Sequence, residues 1–186
     1  MKKFIFVLLL FVPVLAFAQG QKGSVSSCAP VKDGKVCYED DVEIEGLDKT
    51  QIFEAINKWA KENYGKDVFI SSISSKKKKG TITITSRVEL LLNETEKTVV
   101  KYRVNIVCKD GGYHAEMYDI IYQYTPGGEA DDKKISFKTY PAEDVIVNDG
   151  KANVVEVIKD PKLFCNATFF FAENLFGDIY NSIDEE

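Results

Sequence analysis

One histidine, one tryptophan and two methionines in 186 residues leave little of the chemistry that marks an enzyme or a metalloprotein. A metal site built on histidines is excluded by that count, and a Ser-His-Asp mechanism would rest entirely on His114. No excess of basic residues is present either: 24 Lys and Arg stand against 29 Asp and Glu. A nucleic-acid binder needs a dominant basic surface, so that class is set aside. There is no phosphate-binding glycine loop, since Gly111-Gly112 reads as a hairpin turn. The acidic pairs Asp40-Asp41 and Asp131-Asp132 lack the spacing of a calcium loop. Neither a cofactor nor a metal is expected.

Long apolar runs are also scarce. The one at the start, Phe4 to Phe17, is too short and too closely followed by polar residues for a membrane span. It follows Lys2-Lys3 and ends at Ala16-Phe17-Ala18, the small-x-small pattern that a signal peptidase reads. Residues 1–18 are therefore expected to be a signal peptide cleaved after Ala18. Cleavage leaves 168 residues with 22 basic and 29 acidic side chains, a net charge of −7. No cysteine follows the cleavage point directly, so the lipid-anchor route of bacterial lipoproteins is closed. The expected compartment is the periplasm or the exterior, with no membrane span after cleavage.

Residues 19–29 read as a flexible leader and 30–186 as a single domain, a size that supports an adequate core. Asp33-Gly34 between short apolar-polar runs is a hairpin signal. Val36, Tyr38, Val42 and Ile44 then alternate with acids as a half-buried strand. Asp48 and Gln51 have the spacing of a capping box. Ile52, Phe53, Ile56, Trp59 and Ala60 continue a helix to Gly65, with Trp59 as a core anchor. Strands are predicted over Val68–Ile73, over Ile82–Leu92, over Val100–Cys108 and over Tyr113–Tyr124, with Lys76–Lys79 as a solvated turn. Ile135–Phe137 reads as an edge strand and 139–157 as largely irregular. Asp160-Pro161 opens a final helix to about Ile183.

Alternation also suggests a register. Setting Leu90 opposite Val100 puts all apolar positions on one face and places Arg87 opposite Arg103 on the other. Like charges so opposed are unfavourable unless an anion or acid lies between them. A two-residue turn after Lys109 puts Val104 opposite Met117 and Arg103 opposite Tyr118. The outer face of the last strand then carries His114, Glu116, Tyr118, Ile120, Tyr122 and Tyr124. Tyr and Arg are enriched where proteins bind partners. The plainer alternative is that these tyrosines support cross-strand neighbours or are covered by the C-terminal segment. Side-chain direction suggests two disulfides, Cys28–Cys37 on the outer side and Cys108–Cys165 on the inner. Two buried free thiols are the alternative for the second pair.

Pro30-Val31, Asp33 to Val36, Val42 to Gly46, the Ile52–Trp59 helix and Lys109 to Tyr113 together resemble the exported bacterial family of unknown function numbered 4468, described as TBP-like in fold. The resemblance spans roughly residues 30–124. It implies an α+β domain in which a curved antiparallel sheet has helices on one face, and it implies no activity. The leading functional reading is a non-catalytic periplasmic module. It would bind an envelope protein or a small anionic or aromatic ligand on its open sheet face, through Arg87, Lys101, Arg103, His114, Tyr118 and Tyr122. The competing readings are a periplasmic hydrolase with His114 as general base and a purely structural envelope subunit. No residue set passes the nucleophile, base and oxyanion tests, so no catalytic residue is assigned.

Overall fold

The computed structural model describes residues 29–125, 138–147, 151, 154 and 156–184. The expected signal peptide, Cys28 and the Ile135–Phe137 strand lie outside the described residues. The described residues open with a hairpin of β1 (Val31–Lys32) and β2 (Lys35–Val36). Asp33 and Gly34 both have positive φ, as the tight two-residue turn demands. An open antiparallel sheet follows, built from β3 (Tyr38–Glu43), β4 (Ser72–Lys76), β5 (Thr81–Leu91), β6 (Lys97–Lys109), β7 (Gly112–Tyr124) and β8 (Lys138–Pro141). Its order is β3-β7-β6-β5-β4, and β8 shares the β3 edge of β7.

Helix α1 (Lys49–Tyr64) starts as its sequence dictates: Asp48 accepts from the N–H groups of Thr50 and Gln51, while Gln51 reaches back to the Asp48 N–H. Ile52, Phe53, Ile56 and Ala60 form its buried stripe, and Trp59 packs at the margin, edge-on to Tyr64. The segment expected to be irregular contains β8 and a short helix, α2 (Ala142–Ile146). Helix α3 (Pro161–Asp184) begins at Pro161, with Asp160 accepting from the Lys162 N–H. Helices α1 and α3 pack side by side over the inner sheet face, which supplies Ile82, Ile84, Val100, Tyr102, Val104, Ile106 and Met117 to the core. No described helix is long and apolar enough to cross a membrane.

The β6–β7 turn is the expected one, with Lys109 paired to Gly112. Gly112 has no substitute there, because a Cβ would fall 2.0 Å from the Val42 carbonyl of β3. Four expectations need correction. The strand expected from Val68 starts later, at Ser72, and Val68 to Ile70 are exposed. The β5–β6 register is Val88↔Val100 and Ile84↔Val104, two residues from the expected pairing. A two-residue slip keeps every side chain on its face, so alternation alone does not detect it. The turn selects the register: the Asn93 side chain accepts from the N–H groups of Thr95 and Glu96, and the Leu92 N–H bonds Glu96.

The third correction concerns β7. Arg103 pairs Tyr118 and Lys101 pairs Ile121, so Asp119 and Ile120 together oppose Tyr102 in a β-bulge. Asp119 takes a left-handed conformation, φ 52°. The extra residue reverses the alternation. Ile120, Tyr122 and Tyr124, expected on the outer face, are buried on the inner one. Tyr122 packs edge-on to Phe164 and its hydroxyl lies 2.7 Å from Thr168 Oγ1 on α3.

The last correction concerns the disulfides. Cys37 and Cys108 are both free and buried, so neither Cys28–Cys37 nor Cys108–Cys165 forms. Cys165 is disulfide-bonded, but to neither of these. The face assignment of Cys108 and Cys165 is right and the position along the sheet is not. Phe164, beside Cys165, packs on Tyr122 and Tyr124, whereas Cys108 lies eight residues along β6 from Val100, the partner of Tyr122. At ~3.3 Å per residue that is about 26 Å.

Candidate functional site

Both long helices occupy one face of the sheet, and on the other the strands present Thr83, Thr85 and Arg87 from β5, Lys101, Arg103 and Asn105 from β6, and His114, Glu116 and Tyr118 from β7. This face divides into a cationic side over β5 and β6 and an acidic side over β3 and β7.

The cationic side is organised by the bulge. Strand β3 stops pairing with β7 at Tyr38↔Met117, and β8 begins at Pro141↔Ile121, so the bulged stretch between them has no edge partner. The hairpin and α2 close on this gap, where the Val36 N–H donates to Glu143 Oε1 at 3.0 Å. A concavity of about 260 Å³ results, lined by Lys35, Thr85, Lys101, Arg103, Asp119, Ile121, Pro141 and Glu143 among others. Arg103 pairs Asp119 at 3.1 Å and lies 5.8 Å over the Tyr118 ring, and Lys35 stands 3.8 Å from Glu143. Lys101 has no carboxylate within ion-pair distance among the described residues. It faces Arg87 directly across the β5–β6 ladder, while Thr85, not Arg87, faces Arg103. The expected opposition of like charges therefore exists, between a different pair. Arg87 turns aside and donates to the Phe69 carbonyl at 3.1 Å.

The acidic side is built on two cross-strand pairs, Glu39↔Glu116 and Asp41↔His114. His114 Nδ1 lies 2.9 Å from Asp41 Oδ1, and its Nε2 faces Glu39 and Glu116 at 3.7 and 3.5 Å. Lys32 of the hairpin bridges the same two carboxylates, at 2.5 Å from Glu39 and 2.8 Å from Glu116. Its ammonium holds the Glu116 carboxyl below the usual carboxylate range. Cys37 Sγ is buried beside them, and burial, reinforced by Glu39 and Glu116, pushes its thiol up to about 11. That is the reverse of an activated nucleophile, which needs a lowered thiol pKa.

The structure thus brings Lys101 and Arg103 together at the bulge, with Arg87 and Tyr118 adjoining. It places His114 in the acidic cluster, and it removes Tyr122 to the core. Lys35, Asp119 and Glu143 were not expected to take part. Asp119 left a signal in the sequence: an acid at a position that alternation with Ala115 and Met117 assigns to the core face. Lys35 and Glu143 left none, because they reach the site only through the packing of the hairpin and α2.

The family model described as a domain of unknown function (DUF4468) with TBP-like fold matches residues 38–123. A crystal structure of a TBP-like protein from Parabacteroides distasonis is 59% identical, with a TM-score of 0.77 over 85% of this chain and 98% of that one. A DUF4468 family protein from Bacteroides ovatus, 23% identical, shares the fold with a TM-score of 0.69 over 86% of this chain and 92% of that one. No curated protein matches the chain. The open antiparallel sheet, its one-sided helices and the 59% identity to a solved relative lead to one assignment: the chain belongs to the DUF4468 family, whose fold is TBP-like and whose function is unknown.

Proposed function

We propose that the chain is an exported, non-catalytic binding module that takes a small anionic ligand with an apolar or aromatic part in the concavity at the β7 bulge. The observation that carries this reading is Lys101. It points to the outer face opposite Arg87, beside Arg103, with no carboxylate in ion-pair distance among the described residues. A bound anion supplies the negative charge that relieves this opposition. Ile121 and Pro141 give the concavity an apolar wall, and Thr85 adds a hydroxyl for orientation. The export half of the reading rests on the sequence: Lys2-Lys3, the apolar run after them and Ala16-Phe17-Ala18.

The test is a titration of ¹⁵N-labelled protein with phenyl phosphate, which combines the two features the site offers. Saturable shifts should centre on Lys101, Arg103, Asp119 and Ile121, and Lys101→Glu should remove them while leaving the rest of the spectrum in place. Shifts scattered over surface lysines, or unchanged in Lys101→Glu, would overturn the reading. For export, protein recovered from the envelope fraction should begin at Gln19, and an intact Met1 there would contradict it.

A further inference from the structure

The acidic side of the sheet has a donor set that ion pairing alone does not explain. Glu39 and Glu116 stand directly opposite each other across β3 and β7, an arrangement that needs a cation between them, a place the Lys32 ammonium takes here. A thiol is buried against both: Cys37 is 7% exposed, and the ligand atoms of Cys37, Glu39 and Glu116 all lie within 4.8 Å of one another. Among the described residues, the hydrogen bond this thiol makes is to the carbonyl of Tyr38, at 4.0 Å, the extreme limit for sulfur. His114, outside that set of three, offers a nitrogen, with Nε2 3.5 and 3.7 Å from oxygens of the same two carboxylates.

We propose that Cys37, Glu39, Glu116 and His114 form a binding site for a divalent transition-metal cation of the zinc type. Ligand bonds of ~2.0–2.3 Å around a tetrahedral ion put neighbouring donor atoms about 3.3–3.8 Å apart, the spacing His114 already has from both carboxylates. Asp41 holds the other ring nitrogen at 2.9 Å, which fixes the imidazole and directs the Nε2 lone pair at the cluster. Carboxylate support of this kind behind a ligating histidine is the usual companion of such sites. The mixture of one sulfur, one nitrogen and two oxygens selects zinc, cobalt or a similar ion over calcium and magnesium, which take oxygen alone. One histidine suffices here because the sulfur and the acids supply the other donors.

Lys32 marks the position of the charge. Its ammonium bridges Glu39 and Glu116, where a cation would sit, yet its side chain is half-exposed on a two-stranded hairpin and can swing into solvent. Metal and Lys32 therefore compete for the same two carboxylates. On binding, the Cys37 thiol gives its proton to solvent and ligates as the thiolate. This site is separate from the concavity at Lys101, so failure of either leaves the other standing.

Cobalt(II) reports all of this at once. Full-length chain purified metal-free with its disulfide intact should take up one equivalent and develop a thiolate-to-cobalt charge-transfer band in the near ultraviolet. It should also show the visible bands of tetrahedral cobalt, and zinc should abolish both. Cys37→Ser should lose the charge-transfer band, whereas Cys108→Ser, which alters the other free thiol, should keep it. Asp41→Asn should weaken binding by on the order of tenfold to a hundredfold. Lys32→Met should tighten it, and Glu116→Gln, nearly isosteric, should lose it with the far-ultraviolet circular dichroism unchanged. No saturable uptake, a band that survives Cys37→Ser, or an affinity indifferent to Lys32 would overturn the proposal and leave an ion-pair cluster only.

Discussion

Strand β7 is two half-strands with opposite habits. From Gly112 to Tyr118 the side chains alternate as the sequence says, with Ala115 and Met117 inward and His114, Glu116 and Tyr118 outward. From Ile120 to Tyr124 the order is reversed, and the tyrosines that seemed to enrich the outer face hold α3 in place instead. One extra residue separates the two halves. The first half meets β3 and carries the acidic cluster, while the second meets β8. The unpaired stretch between them, closed over by the hairpin and α2, lines the concavity on this face at Lys101. In this family member the bulge serves the core and the candidate site together.

Emptying the inner face after the bulge should have the largest effect. Replacing Ile120, Tyr122 and Tyr124 together by serine would strip the second half of its core side chains. Each is worth about 1.5–3 kcal/mol of burial, together comparable to the whole net stability of a domain. The triple variant should lose cooperative thermal unfolding by circular dichroism, and a melt like that of the parent would mean that these side chains do not face the core.

Tyrosines on either side of the bulge should differ sharply. Tyr122→Ala empties a fully buried site and removes the partner of Thr168, at a cost of about 3–5 kcal/mol in urea denaturation. Tyr118→Ala loses only the contact with Arg103, within about 1 kcal/mol. Equal costs would erase the distinction between the halves.

The bulge residue itself comes next. Asp119→Val forces a β-branched side chain into the left-handed region and should cost about 1–2 kcal/mol. Asp119→Gly removes that strain and forfeits only an exposed ion pair, so it should stay within about 1 kcal/mol of the parent.

The pH dependence is the smallest effect. Burial pushes the Tyr124 phenol, after the bulge, up to about 12, and likewise raises Tyr38 and Cys108, which pair with the first half, to about 12 and about 11. Raised groups stabilise fully below their ordinary values, near 9 for the thiol and 10 for the phenols. That contribution is lost as pH rises through about 11 and 12. Before the bulge, Glu116 is lowered by Lys32, so its contribution is present above the ordinary carboxyl value of 4.5 and is lost as pH falls through its lowered one. Denaturation midpoints against pH should fall at both ends, and Lys32→Ala should flatten the acid limb alone.

Much of the scaffold was legible because local chemistry wrote it. The Asp48–Gln51 box, the Asp33-Gly34 turn, the two-residue turn after Lys109 and the Asp160-Pro161 start are each specified by residues in contact along the chain. Arg103↔Tyr118 followed from that turn, since only a few pairs separate it from the hairpin tip. Most of what failed lay beyond such local control. The β5–β6 register shifted by two because alternation is blind to even slips. The bulge went unread because alternation was carried through Asp119, and with it Tyr122 was placed on the wrong face. The Cys108–Cys165 pair failed on distance along the sheet, which face assignment does not contain. Of the candidate site, Lys101, Arg103 and Tyr118 were legible and their neighbours from the hairpin and α2 were not.

The most direct test of the central claim, that the bulge sends the halves of β7 to opposite faces, is a NOESY spectrum with assigned aromatic resonances. Strong cross-peaks are expected from the Tyr122 ring to the Phe164 ring, 5.1 Å away, and to Thr168, with none from Tyr118 to either. Cross-peaks joining Tyr122 to Tyr118 and Lys101, with none to α3, would contradict it.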